Sequence, residues 1–257
     1  MAGKIDELGA ALRSLVQERI IVARCELLHR TYQAVRQAQL NQQERAELMK
    51  LVGSRIAPGI FSSIVSGAPI FMNFPKLDSF TVVDGRIFHF VHSAKPQKSD
   101  LQRAYLLFRE SQNELLALMV QNLEDLVTEF LAEAGYRLEE RTPEGLNFVK
   151  GDVRLTVLVY SRIGNVAIDQ CRQCAGDHPE QCVVIVPHEE SLPPFMKFFS
   201  DNCLAFEESR ISVWVANMEV GSIDPFIGYT TDLDIYSRFK NPRLAAMVRS
   251  TWGCPAR

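Results

Sequence analysis

At 257 residues the chain has room for one large domain or two of ordinary size. Hydrophobic residues make up 47% and charged residues 23%, so a sizeable core is possible and disorder is excluded as the default. A net charge of −3 removes any global attraction to nucleic acid or acidic membranes, although 28 Lys and Arg leave room for a local basic face.

The first 24 residues mix Lys4, Asp6, Glu7, Arg13, Glu18 and Arg19 among apolar residues, so no secretory leader is expected. No apolar run approaches the ~20 residues that span a bilayer. The nearest, residues 56–74, is interrupted by Pro58, Gly59, Gly67 and Pro69. The expectation is a cytoplasmic protein with no membrane partner, whose six cysteines are free thiols and not a disulfide framework.

Leu8, Leu12, Leu15, Val16, Ile20, Cys25, Leu28, Tyr32 and Val35 recur at helical spacing and predict one long amphipathic helix over 4–40. Asn41 and Glu44 read as a capping box opening a second helix to about Arg55. Residues 56–78, rich in Gly, Pro, Ser and Phe, read as a partly buried connector. Phe80–Val83 and Arg86–Val91 flank Asp84-Gly85, a hairpin signal because both turn residues need positive φ. Ser99 and Gln102 suggest the cap of a long helix reaching Ala134, with Gly135 as its stop.

From Tyr136 the pattern turns α/β. Leu146–Val149 and Val153–Tyr160 flank a Lys150-Gly151-Asp152 turn. Asn165 is placed to cap a helix to about Gly176. Cys182–Val186 reads as a buried strand, Pro193-Pro194 opens a helix, Ile211–Val215 forms a fourth strand, and a last helix lies near Pro242–Thr251. The division expected is 1–98 (helical hairpin and β-hairpin), 99–135 (connecting helix) and 136–257 (α/β domain with a helical tail). The fold class is therefore α/β, with a helix-rich N-terminal half.

The phrase Val159-Tyr160-Ser161-Arg162-Ile163-Gly164-Asn165-Val166 stands at the end of the second hairpin strand and before a helix. In this phrase and in element order, residues 122–216 resemble the restriction-endonuclease-like (PD-(D/E)XK) superfamily, in particular its Mrr-like branch. That resemblance implies a divalent metal held by an aspartate on the first hairpin strand and an acid on the next, with a lysine placing the attacking water. The three positions fall near Asn147, on Leu158 and on Tyr160, and none matches. Leucine cannot coordinate a cation, and asparagine offers one neutral oxygen. Asp152 serves the turn, while Asp169 is the acid that could have migrated. The resemblance thus implies a degenerate nuclease fold used for binding or assembly.

Cys171, Cys174, His178 and Cys182 form C-x2-C-x3-H-x3-C, a set that zinc could use. Read from the predicted elements alone, the cysteines are buried thiols, a metal site or a redox pair. His89 and His92 share a strand at odd separation and point to opposite faces, so they make poor co-ligands. No phosphate-binding loop or nucleophile elbow is present.

Arg238, Lys240, Arg243 and Arg249 interleave with Tyr229, Tyr236, Phe239 and Trp252, a composition that can pair phosphates and stack bases, or simply pack aromatics and expose arginines. The leading reading is a non-catalytic interaction or assembly protein. It contacts a protein partner or a second copy through its long helices, with no catalytic residue and no cofactor assigned. The alternatives are a nucleic-acid-binding protein or divergent metal-dependent nuclease, and a cysteine-based metal or redox sensor.

Overall fold

The computed structural model describes residues 2–18, 21–53, 55–66, 77–83, 86–92, 96–143, 145–176, 181–188 and 191–253. The chain divides into two compact units, Met1–Asn122 with Glu219–Gly221, and Leu123–Met218 with Ser222–Arg257. The architecture is α/β, as its pattern implied, with a three-stranded sheet in the first unit and a six-stranded mixed sheet in the second.

In the first unit the expected helix over 4–40 is three elements: α1 (Ala2–Glu18), β1 (Ile21–Ala23) and α2 (Arg24–Gln37). The β-branched pair Ile21-Val22 favours an extended chain, and β1 gains an antiparallel partner in β3 (Arg86–His92). Of the expected apolar stripe, Leu8, Leu12, Leu28, Tyr32 and Val35 are buried, and Leu15 and Cys25 are half-buried. α3 (Gln42–Val52) opens on the expected capping box, with Asn41 Oδ1 accepting from Glu44 N–H and the Glu44 carboxylate accepting from Asn41 N–H. It stops at Gly53, whose φ of +89° suits glycine.

The connector expected after it is helical from Ile56 to Ser66 (α4). Pro58 falls in the first turn, where its missing N–H has no helical partner to lose. Gly59 is required there, because a Cβ would stand 2.7 Å from the Val52 side chain and 2.8 Å from its carbonyl. Gln42–Ser66 is the one described stretch long and apolar enough to cross a membrane. It is two helices, and Ile56, Ile60, Phe61 and Ile64 of the second are buried in the unit.

β2 (Leu77–Val83) pairs with β3 in register from Leu77↔His92 to Val83↔Arg86. Asp84-Gly85, the expected turn, lies outside the described residues. Phe88 on one face packs against Tyr105 and Phe108 of α5 (Lys98–Glu110) at 4.8 and 6.0 Å between ring centroids. Phe80, Val82 and Ile87, on the other face, are exposed. The second long helix also breaks, at Ser111, into α5 and α6 (Gln112–Glu133). The Ser111 hydroxyl donates to the Leu107 and Phe108 carbonyls and competes with the helical ladder. The α5 cap is Gln97 with Asp100, two residues before the expected pair: the Asp100 carboxylate accepts from Gln97 N–H at 2.8 Å. Buried Asn122 of α6 donates to the His29 carbonyl at 3.0 Å and accepts from Arg36 at 3.1 Å. Burial lowers the His29 pKa to about 4, so the ring is neutral.

In the second unit, α6 ends at Gly135 (φ +86°), where Tyr136 N–H returns to the Leu131 carbonyl. Then come β4 (Arg137–Arg141), β5 (Leu146–Lys150), β6 (Val153–Val159), α7 (Ile168–Ala175), β7 (Cys182–Pro187), α8 (Pro193–Ser209), β8 (Ser212–Asn217), β9 (Ser222–Ile227), α9 (Leu233–Arg238) and α10 (Leu244–Trp252). The sheet order is β4-β5-β6-β7-β8-β9, with β6, β7 and β8 parallel and the outer pairs antiparallel. One face packs Trp214 against Phe130 of α6 and Phe239; the other packs Leu158, Val184 and Val186 under Cys171 of α7 and Phe195, Phe198 and Phe206 of α8. Asn165 closes a short 3-10 turn over Ile163–Asn165 and does not cap α7, which begins three residues later.

Cys25, Cys171, Cys174 and Cys182 are free, but buried Cys203 on α8 is disulfide-bonded. The expectation of free thiols throughout fails there, because it rested on compartment and not on geometry.

Candidate functional site

The three positions that the resemblance singled out, Asn147, Leu158 and Tyr160, lie on one face of the six-stranded sheet. Cross-strand pairs share a face, and Asn147↔Thr156, Thr156↔Cys182 and Leu158↔Val184 are such pairs. The Asn147 carbonyl oxygen accepts from the Thr156 hydroxyl at 3.0 Å, so this polar pair satisfies itself. Leu158 is 1% exposed and belongs to the hydrophobic core beneath α7 and α8. Gly145, at the mouth of β5, passes so close that a Cβ would meet the Val157 carbonyl at 2.5 Å and Leu158 Cδ2 at 3.0 Å. Tyr160 packs on the same core, and its hydroxyl lies 3.7 Å from Cys171 Sγ.

The candidate acids are elsewhere. Asp152 is exposed in the β5–β6 turn. Asp169 stands at the exposed start of α7, 92% exposed at its side chain and 3.6 Å from Arg172.

Around Tyr160 the thiols gather. Cys171 and Cys182 are buried, and Cys174 is half-buried. Burial pushes the Cys182 thiol up to about 12 and raises that of Cys171; burial also raises the Tyr160 hydroxyl, helped by its hydrogen bond to Cys171. Thiols raised in this way stay protonated near neutral pH and are weak nucleophiles and weak metal ligands. Among the described residues no group of three or more His, Cys, Asp or Glu is arranged to hold a metal ion. His178, the fourth member of the expected set, lies outside the described residues. His89 pairs with Phe80 in the hairpin register and His92 pairs with Ile21 and Leu77, which puts the two histidines on opposite faces as their spacing required.

The third cluster is the segment after β9. Gly228 turns the chain out of the sheet with φ +79°, and a Cβ there would stand 2.9 Å from Ser212 Oγ. Asp232 then caps α9, accepting from Asp234 and Ile235 N–H. The same carboxylate accepts from the Tyr136 hydroxyl at 2.9 Å and from Lys150 Nζ at 3.0 Å, and Lys150 also reaches Asp234 at 2.6 Å. Burial pushes the Asp232 carboxyl up, but Lys150, Tyr136 and the two backbone donors outweigh it and hold it below its ordinary range. Phe239 stacks on Phe130 and meets Trp214 edge-on, and Asp224 of β9 accepts from Asn241 N–H.

From this fixed segment Arg238, Lys240 and Arg243 project as exposed side chains; among the described residues Arg238 and Arg243 have no ion-pair partner, while Lys240 lies in the field of Asp224. Arg249, the fourth residue of the expected basic set, is instead paired with Glu207. The exposed apolar residues beside them are Leu233 at 79%, Tyr229 at 60% and Tyr236 at 42%.

A family model described as a domain of unknown function (DUF6834), C-terminal domain, matches residues 110–241. The chain belongs to this family. No curated protein matches it. The DUF6834 match takes in the whole sheet, the Tyr160–cysteine cluster and the 229–241 part of the exposed segment. Within that DUF6834 domain the Lys150, Tyr136 and Asp232 cluster escaped sequence reading, since its members lie far apart in the chain. The one local signal was Asp232, an N-cap residue type two residues after Thr230 and just before an apolar pair of helical spacing, Leu233 and Tyr236.

Proposed function

We propose that the chain is a non-catalytic interaction protein whose second unit is a degenerate restriction-endonuclease-like domain. The observation that carries the reading is Leu158. A hydrolytic centre of that type needs a carboxylate at this position, and a buried leucine in the core offers neither charge nor a lone pair to a divalent cation. Two further features support it. The strand order β4-β5-β6-β7-β8, antiparallel and then parallel, with α7 and α8 between the parallel strands, agrees with the element order of that superfamily. The Asn147–Thr156 pair and the Tyr160–Cys171 pair satisfy the neighbouring positions internally.

Two measurements test the reading. The purified protein, incubated with duplex DNA, single-stranded DNA and RNA in magnesium or manganese, leaves all three intact. Metal-dependent cleavage that is lost in Asp152→Asn or Asp169→Asn overturns the proposal. In light scattering the protein runs as a species heavier than its 29.0 kDa chain, alone or with a co-purifying partner. A lone monomer from every preparation counts against it.

A further inference from the structure

We propose that residues 229–243 form a pre-organised docking surface for an acidic segment of a partner protein. The inference rests on the interaction reading above and names the surface and the chemistry it recognises.

The surface joins apolar and cationic groups in one short stretch. Leu233 is the most exposed large apolar side chain among the described residues, at 79%. Tyr236 follows it three residues later on α9, on the side away from buried Ile235, and Tyr229 precedes it. Arg238 and Arg243 extend the stretch as exposed cations without ion-pair partners among the described residues, with Lys240 between them. Tyrosine and arginine are the residue types that dominate binding energy at protein interfaces, and an exposed leucine supplies the apolar anchor beside them.

The backbone beneath is already fixed. Asp232 holds the start of α9 through Lys150, Tyr136 and two N–H groups, Phe239 is locked between Phe130 and Trp214, and Asp224 holds Asn241 N–H. A segment ordered before binding loses little conformational freedom on docking.

The charge pattern selects the partner class. Two exposed arginines complement carboxylates. Arg249, which would extend these cations into a longer polyanion track, is held by Glu207, and Lys240 lies in the field of Asp224, so the surface offers a short pair of cations and not a track. The central and most exposed side chain, Leu233, is aliphatic and offers an apolar contact. An acidic polypeptide with apolar or aromatic residues among its carboxylates fits both halves of the surface.

The test uses the full-length protein and a fluorescent copolymer of glutamate and tyrosine as probe. The copolymer binds in anisotropy titrations, and added salt weakens it. Arg238→Ala with Arg243→Ala, and separately Leu233→Ala, each weaken binding about tenfold. All three side chains are exposed, so thermal midpoints stay unchanged and loss of binding is not loss of fold. Copolymer binding unaffected by these substitutions overturns the proposal, as does no binding at all. A thymidine oligonucleotide that binds where the copolymer does not makes the surface a nucleic-acid site, and binding only to phosphatidylserine vesicles makes it a lipid site; either result overturns it. Failure here leaves the cleavage result untouched, so the two readings fall separately.

Discussion

Leu158 shows how one side chain decides between chemistry and packing. It contacts the core near the end of β6, so Leu158→Ala lowers unfolding free energy by about 3 kcal/mol in urea titrations, the range for a truncated buried leucine. A loss under about 1 kcal/mol would contradict a tightly packed Leu158. The neighbouring thiols make a second expectation. Because burial raises Cys171 and Cys182, both resist iodoacetamide at neutral pH, while half-buried Cys25 and Cys174 react first; mass spectrometry of the alkylated peptides reads the order. At this scale the sequence was informative where residue type decides burial, as with leucine on a core strand. It was silent where residues distant in the chain meet, as Tyr136, Lys150 and Asp232 do, because no local period records a tertiary hydrogen bond.

Helix and strand identities were legible when a period ran unbroken, as in β5, β6, β7 and α8. Both overlong helices failed for local reasons, a β-branched pair at β1 and a hydroxyl at Ser111 that bonds back to the preceding turn. β4 escaped notice because Arg137-Leu138-Glu139-Glu140-Arg141 is an edge strand dominated by charge, and β9 because it carries Pro225 on the opposite edge. Both devices guard sheet edges against pairing with other chains. α9 depends on its cap, so Asp232→Ala costs about 2 kcal/mol in thermal or urea unfolding, since the cap, the Tyr136 partner and one of the two Lys150 partners vanish together. The held-down Asp232 carboxyl contributes stability that is complete above the ordinary carboxylate range and is lost as pH falls through its lower folded value. Asp232→Asn should therefore flatten the acid limb of the stability curve; an unchanged limb would deny the carboxylate that role.

On the scale of the whole chain, the division into two units gives pH a selective effect. His29 has its pKa lowered from 6.5 to about 4 by burial, so the unfolded state takes up a proton that the folded first unit refuses. The stability this contributes is complete above about pH 6.5 and falls away toward pH 4, a loss of order 3 kcal/mol. His29→Gln removes that slope; circular dichroism in urea at several pH values checks it, and a wild-type profile with no slope in this window contradicts it. Both tryptophans, Trp214 and Trp252, sit in the second unit, and the first has none. Indole emission is consequently an optical label for one half of the molecule, supplied without any dye. Acidification that bleaches the ellipticity while leaving the emission spectrum in place would reveal a half-melted chain, and simultaneous change in both signals would reveal a single cooperative one.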